Sequence, residues 1–245
     1  MRASPFLALL TIATSLGVAA DMPSGESLLQ RSIDKSGGAA AWAKAKNMAM
    51  SGSVEMPAQN ITGTIAIFEE GEKSYTEMEI PGIGKIQGGF DGETAWENSA
   101  LQGPRILEGA EKVEAKRAAR LLSLTDWRKV YKSAQTIGSA DIDGKPAWKV
   151  EMTPIEGKPE TFFFDKDSGL LVRISAVRST PLGDVSTEST MSDFRSVDGL
   201  LTPFAQTETA MSQSIVTHFK TVSYNVPLPA DRFDPPAAVK SREKK

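Results

Sequence analysis

The dipeptide Asp-Gly, flanked by apolar residues, recurs at three places, and this narrows what the chain can fold into more than any other feature. Gly88-Gly89-Phe90-Asp91-Gly92-Glu93-Thr94-Ala95-Trp96 reads as strand, tight turn, strand, because Asp and Gly tolerate the positive φ that a short hairpin requires. Ile142-Asp143-Gly144-Lys145-Pro146-Ala147-Trp148 repeats the grammar, with an apolar residue before Asp-Gly and a Trp four residues after the Gly. Val197-Asp198-Gly199-Leu200-Leu201 is a weaker third copy. No strict repeat period joins the copies, so common turn chemistry explains them as well as duplication does, and the hairpin is the building unit.

Alternation fills the space between turns. Met48, Met50, Val54 and Met56 fall on one face of a run that begins at Asn47, and Ile61, Ile65 and Ile67 do so in the next, with Thr62 and Thr64 opposite. Runs at 73–80, 83–90 and 94–98 continue a meander. Strands resume near Ser133, where Trp148, Val150 and Met152 share a face, then Phe162 with Phe164, then Leu170, Val172 and Ile174, before three more runs at 185–195, 200–211 and 214–226. The pattern predicts about eleven half-buried antiparallel strands. Two helices precede them: one is capped by Ser24, carries Leu28, Leu29 and Ile33, and stops at Gly37-Gly38; a short one spans 39–46. A third is inserted between strands over 107–122, where alternation disappears and Ala, Glu, Lys and Arg dominate. Its thin apolar side, with Leu121 and Leu122, predicts a cover on the sheet.

Residues 1–20 have the form of a cleaved export signal: Met1-Arg2, an apolar segment over 6–16, then Val18-Ala19-Ala20 before Asp21. Its apolar run falls short of the roughly 20 residues of a membrane span. Export to the periplasm with cleavage after Ala20 is the expectation, followed by one domain over 21–238 and a disordered charged tail over 239–245. The chain has no Cys, which excludes disulfides, thiol catalysis and a lipid anchor on a Cys at the cleavage site. With 28 basic and 31 acidic residues it has no electrostatic footprint for nucleic acid.

Catalytic signatures are sparse. There is no G-x-S-x-G, and His218, the single His, falls inside an alternating run. Ser32-Ile33-Asp34-Lys35 matches S-x-x-K without the companion K-T-G. Zinc asks for His and Cys ligands that the chain does not supply. Asp165-Lys166-Asp167-Ser168-Gly169 has carboxylates for calcium but reads better as a hairpin turn, and Pro81-Gly82-Ile83-Gly84 is a turn with no helix after it to receive a phosphate. The expectation is a protein that is not an enzyme and needs no metal or cofactor.

Apolar surface remains. Met50, Val54, Ile65, Ile67, Trp96, Trp148, Val150, Phe162, Phe164, Val172 and Ile174, with Leu121 and Leu122 from the inserted helix, are the candidates to line the inner face of a strongly curved sheet. An ordinary packed core uses the same residues, but Met among large aromatics is also what a pocket for variable apolar ligands uses.

The Gly37-Gly38 stop before Ala39-Ala40, the long meander, the helix inserted after Trp96, and the segment Asp193-Phe194-Arg195-Ser196-Val197-Asp198-Gly199-Leu200-Leu201-Thr202-Pro203 together resemble the LolA/LolB superfamily of periplasmic lipoprotein-sorting proteins. The likeness runs from Ser24 to Pro235. It implies a mainly β fold, an incomplete β-barrel closed on its open side by helices, whose apolar cavity holds a lipid or lipoprotein acyl chain. Two classes of function follow: a monomeric carrier of an apolar ligand, with transient membrane contact, in lipoprotein sorting or envelope maintenance; or a non-carrying domain that docks on an envelope protein partner.

Overall fold

The computed structural model describes residues 22–120, 124–181 and 183–242; the export signal expected over 1–20, Leu121 and Leu122 lie outside the described residues. Helices α1 (Gly25–Lys35) and α2 (Ala39–Trp42) precede β1 (Asn47–Met56), β2 (Ile61–Glu70), β3 (Lys73–Ile80), β4 (Gly84–Phe90), β5 (Ala95–Ser99) and β6 (Gly103–Leu107). Helix α3 (Gly109–Ala118) is inserted there, and β7 (Tyr131–Ile142), β8 (Lys145–Pro154), β9 (Glu160–Asp165), β10 (Leu171–Thr180), β11 (Gly183–Val197), β12 (Leu200–Ala210), β13 (Gln213–Tyr224) and a helical turn α4 (Ala237–Lys240) follow.

The strands form one open antiparallel sheet of thirteen, in the order β6-β5-β4-β3-β2-β1-β13-β12-β11-β10-β9-β8-β7. It is therefore two meanders joined where the first strand pairs with the last, Met48 opposite Tyr224 and Val54 opposite Thr217. The expected architecture is present, with more strands than the alternation indicated. One of the additions is β6, which occupies the approach to an inserted helix that is shorter than the 107–122 expected from its composition. Its Pro104 has no N–H to donate, which an edge strand tolerates.

Two of the Asp-Gly turns are two-residue hairpin turns with positive φ at both positions, Asp143 (53°) and Gly144 (82°), Asp198 (51°) and Gly199 (81°). The third is wider. Asp91 Oδ1 accepts the N–H groups of Glu93 and Thr94 at 2.8 and 2.7 Å, so the side chain closes the loop.

Ser24 caps α1 as expected, its Oγ accepting the Ser27 N–H at 3.1 Å. Leu28 and Leu29 of α1 pack on Val150, Met152, Phe162 and Phe164, so this helix covers the inner face of the β7–β10 arm. The β1–β4 arm and its neighbours β12 and β13 build a second core around Val54, Ile65, Ile80, Phe204 and Phe219. Helix α3 spans the opening between the arms. Ala115 and Ala119 pack against Phe90 on one side, and Arg117 reaches Glu160 on the other at 2.9 Å.

The outer face carries a surprise at its C-terminal end. Phe233 and Val239 are 4% and 0% exposed and pack on Tyr75 and Trp96. The tail expected to be disordered from Val239 is instead helical through Lys240, because the outer face of β3 and β5 presents two large aromatic rings that need a cover.

Candidate functional site

Following the pairing across the sheet sorts the candidate residues by face. Met48 lies opposite Glu69, Met50 opposite Ile67, and Ile65 opposite Met78, all on the inner face. Trp148 opposite Phe164, Val150 opposite Phe162, and Phe162 opposite Ile174 belong to the same face in the other arm. Between the arms, under the C-terminal end of α3 and beside α2, lies a cavity of about 310 Å³. Its wall includes Trp42, Met48, Met50, Leu171, Ile174, Leu201 and Tyr224, with Glu69, Arg120 and Thr202 as polar members. Ile65 and Ile67 line a smaller neighbouring hollow of about 210 Å³ with Met78 and Phe219.

Of the expected lining residues, then, Met50 and Ile174 border the main cavity and Ile65 and Ile67 the lesser one. Val54 at 1% exposure, Val150 at 0%, Phe162 and Phe164 are filled core. Trp148 packs against that core, with the Lys166 ammonium over its ring at 3.7 Å. Trp96 and Val172 point the other way: Trp96 sits under Phe233 and Val239, and Val172 packs with Ile142, Ala147 and Phe163. For Val172 the reason is local. The register slips between Leu171 and Arg173, so the alternation that put Leu170, Val172 and Ile174 on one face does not survive into the sheet. For Trp96, counting from the turn fails because the Asp91 loop is wider than two residues and no apolar alternation in the short β5 fixes its face.

The polar groups of the wall are mostly committed. Arg120 pairs with Glu72 in the turn between β2 and β3 at 2.7 Å. The Tyr224 and Thr202 hydroxyls bond each other at 2.8 Å, and the Trp42 Nε1–H donates to Ser36 Oγ at 2.9 Å. Trp42 meets Tyr224 edge to face, with centroids 6.1 Å apart. Glu69 differs: burial pushes its carboxyl from the ordinary 4.5 up to about 7. The residue was readable as an oddity, since it continues the inner-face run Ile65, Ile67 with a charge.

Helix α3 is stapled across the opening. Arg105 of β6 holds Glu111 with three bonds of 3.0 Å and Glu97 with two, the shorter 2.7 Å. Arg117 and Arg178 both reach Glu160 Oε1 at 2.9 Å, and the Tyr131 hydroxyl donates to Glu160 Oε2 at 2.5 Å. The Ser179 N–H donates to the Glu114 carboxylate at 3.2 Å. Burial and the Glu160 charge push the Tyr131 hydroxyl well above its ordinary range.

The residues weighed for catalysis or calcium lie apart from this cavity wall or make structural bonds at its margin. Ser32 is 2% exposed and its Oγ accepts the Leu171 N–H at 3.2 Å, tying α1 to β10. His218 is exposed on β13 opposite Ser53 and Ala205. Asp165 Oδ1 accepts the Ser168 N–H and Oγ at 2.7 and 2.6 Å, the bonding of a turn.

No family model and no curated protein sequence matches the chain. Solved structures do. A LolA superfamily protein from Nitrosomonas europaea superposes with a TM-score of 0.57 at 12% identity, over 86% of this chain and 98% of that one. The fold is LolA-like. A DUF1329 family protein from Desulfovibrio piger shares the LolA-like arrangement at a TM-score of 0.58 and 14% identity, over 89% of this chain and 100% of the other. An outer membrane lipoprotein-sorting protein domain from Vibrio parahaemolyticus does so at 0.54 and 12%, over 90% and 98%. At these identities the likeness is one of fold.

Proposed function

We propose that this protein is a periplasmic binding protein that carries an amphipathic, lipid-like ligand in its inner cavity. The observation that carries the reading is the hollow between the arms, bordered by Met48, Met50, Trp42, Leu171, Ile174, Leu201 and Tyr224 beside filled core. A soluble protein leaves an interior space of this kind lined by Met and aromatic side chains where variable apolar groups are to be accommodated. Support for the compartment comes from the form of residues 1–20, and the LolA-like architecture is shared with a domain described as lipoprotein-sorting. Native mass spectrometry of the exported protein, purified without detergent, tests the proposal. A bound lipid-sized mass and competition for a fluorescent apolar dye are expected. A protein that arrives empty and binds no apolar probe would leave docking on an envelope partner as the function.

A further inference from the structure

We propose that Glu69 makes the cavity selective for amphipathic ligands that carry a cationic nitrogen beside their apolar body, as an alkylammonium ion does. The inference rests on the carrier reading above and adds to it the chemistry of the ligand's polar end.

Glu69 stands on the inner face of β2, opposite Met48 and two residues beyond Ile67, and its side chain forms part of the cavity wall. Among the described residues nothing donates a hydrogen bond to its carboxylate and no cation pairs with it. The polar groups around it make their bonds elsewhere: Arg120 Nη1 reaches Glu72 at 2.7 Å, the Trp42 Nε1–H donates to Ser36 at 2.9 Å, and the Tyr224 and Thr202 hydroxyls share one bond of 2.8 Å. Half-buried on an apolar wall and without a bonded partner, the Glu69 carboxylate is poorly stabilised there, and a cation entering the cavity would supply the missing counter-charge. Trp42, Phe194 and Tyr224 border the same space with aromatic rings, whose faces attract a cation. A ligand with a carboxylate head meets the opposite situation, since it would bring a like charge toward Glu69. With its carboxyl held up to about 7, Glu69 can stay neutral while the cavity is empty and ionise when a cation arrives.

The test sets dodecylamine, dodecanol and laurate, each below its micelle concentration, to displace a bound apolar dye from the mature chain and from Glu69→Gln at neutral pH. Wild type is expected to bind dodecylamine at least about tenfold tighter than laurate. Glu69→Gln should lose that preference while its affinity for dodecanol stays within about twofold of wild type, which also reports that the cavity is intact. Laurate bound as tightly as dodecylamine by wild type overturns the inference and leaves the carrier reading standing. An amine preference that persists in Glu69→Gln overturns the assignment to this residue. If neither the dye nor any of the three binds, carrier reading and inference fall together.

Discussion

Arg117 Nη2 and Glu160 Oε1 meet at 2.9 Å with both side chains less than a tenth exposed, 8% and 5%, and through this contact the inserted helix is fixed to the arm of the sheet that it does not follow in sequence. Glu160 also accepts from Tyr131 and Arg178, so one carboxylate holds three donors and cannot release one cheaply.

Glu160→Ala leaves Arg117 buried with no carboxylate, and breaking a buried pair from one side costs about 3–5 kcal/mol. Urea denaturation should show that loss, and amide exchange in α3 should quicken. Stability close to wild type would mean that the staple contributes nothing and that α3 is free to swing. With the staple intact, exchange in α3 should be the same with and without bound lipid.

Bulk added to the two kinds of inner surface should have opposite effects. Val150 is fully buried beneath α1, where a Cβ on Gly25 would come within 2.9 Å of its Cγ1. Val150→Phe should therefore cost about 1–3 kcal/mol or more. Met50 borders the cavity, and Met50→Phe should change stability by less than about 1 kcal/mol while reducing dye binding. Thermal melts and dye titration of both variants decide the matter; equal stability losses would mean that the cavity is not there.

Gly25→Ala should reverse the usual helix rule. Ala normally favours a helix by about 1 kcal/mol over Gly. Here its Cβ would sit 2.5 Å from the Ala134 carbonyl oxygen, and relieving that contact costs about 1–3 kcal/mol. A net drop in melting temperature is expected, and a rise would show that α1 is not seated on β7 as described.

Glu69 gives the stability profile a sign. Its folded carboxyl titrates at about 7 against 4.5 unfolded, so the native state binds the extra proton between those values. Stability is complete below the lower one and falls as pH rises through the upper. Glu69→Gln should flatten this slope and be the more stable form in mild alkali, by at most about 3 kcal/mol. Thermal unfolding across that range checks it; parallel profiles for the two proteins would place the carboxylate in contact with solvent.

Phe233→Ala should uncover the outer face. Truncating a buried Phe costs about 3–5 kcal/mol, and Trp96 beneath it should gain water contact, seen as a red shift in Trp emission. An unshifted spectrum would mean that the C-terminal segment does not cover Trp96.

What was legible in the sequence was periodic. The period-two runs gave the meanders and the inner-face assignment of Met50, Ile65, Ile67 and Ile174, and Ser24 with Gly37-Gly38 bounded α1 correctly. The misses occur where that period is interrupted. The slip between Leu171 and Arg173 turned Val172 outward, and β5, only five residues long, gave Trp96 no face. Which apolar residues border space and which border α1 depends on where a helix is set down across the sheet, which alternation does not encode. Glu69 was in plain view as a charge on an apolar stripe, and only the partners around it gave it meaning.

The pairing of β1 with β13 sets the order in which the protein can be made. Asn47 bonds Val226 through both its side-chain atoms, at 2.9 and 2.8 Å, across 179 residues of chain. Contacts this distant in sequence form slowly, because a long loop must close before they contribute anything. The two meanders can therefore zip as hairpins while synthesis is still under way, but the central seam, and with it the wall shared by Met48 and Tyr224, cannot close until the last strand has emerged. A chain with that schedule keeps its ligand-sized hollow open on one side until the last strand is in place, so truncation within β13 should leave two formed meanders and no shared wall.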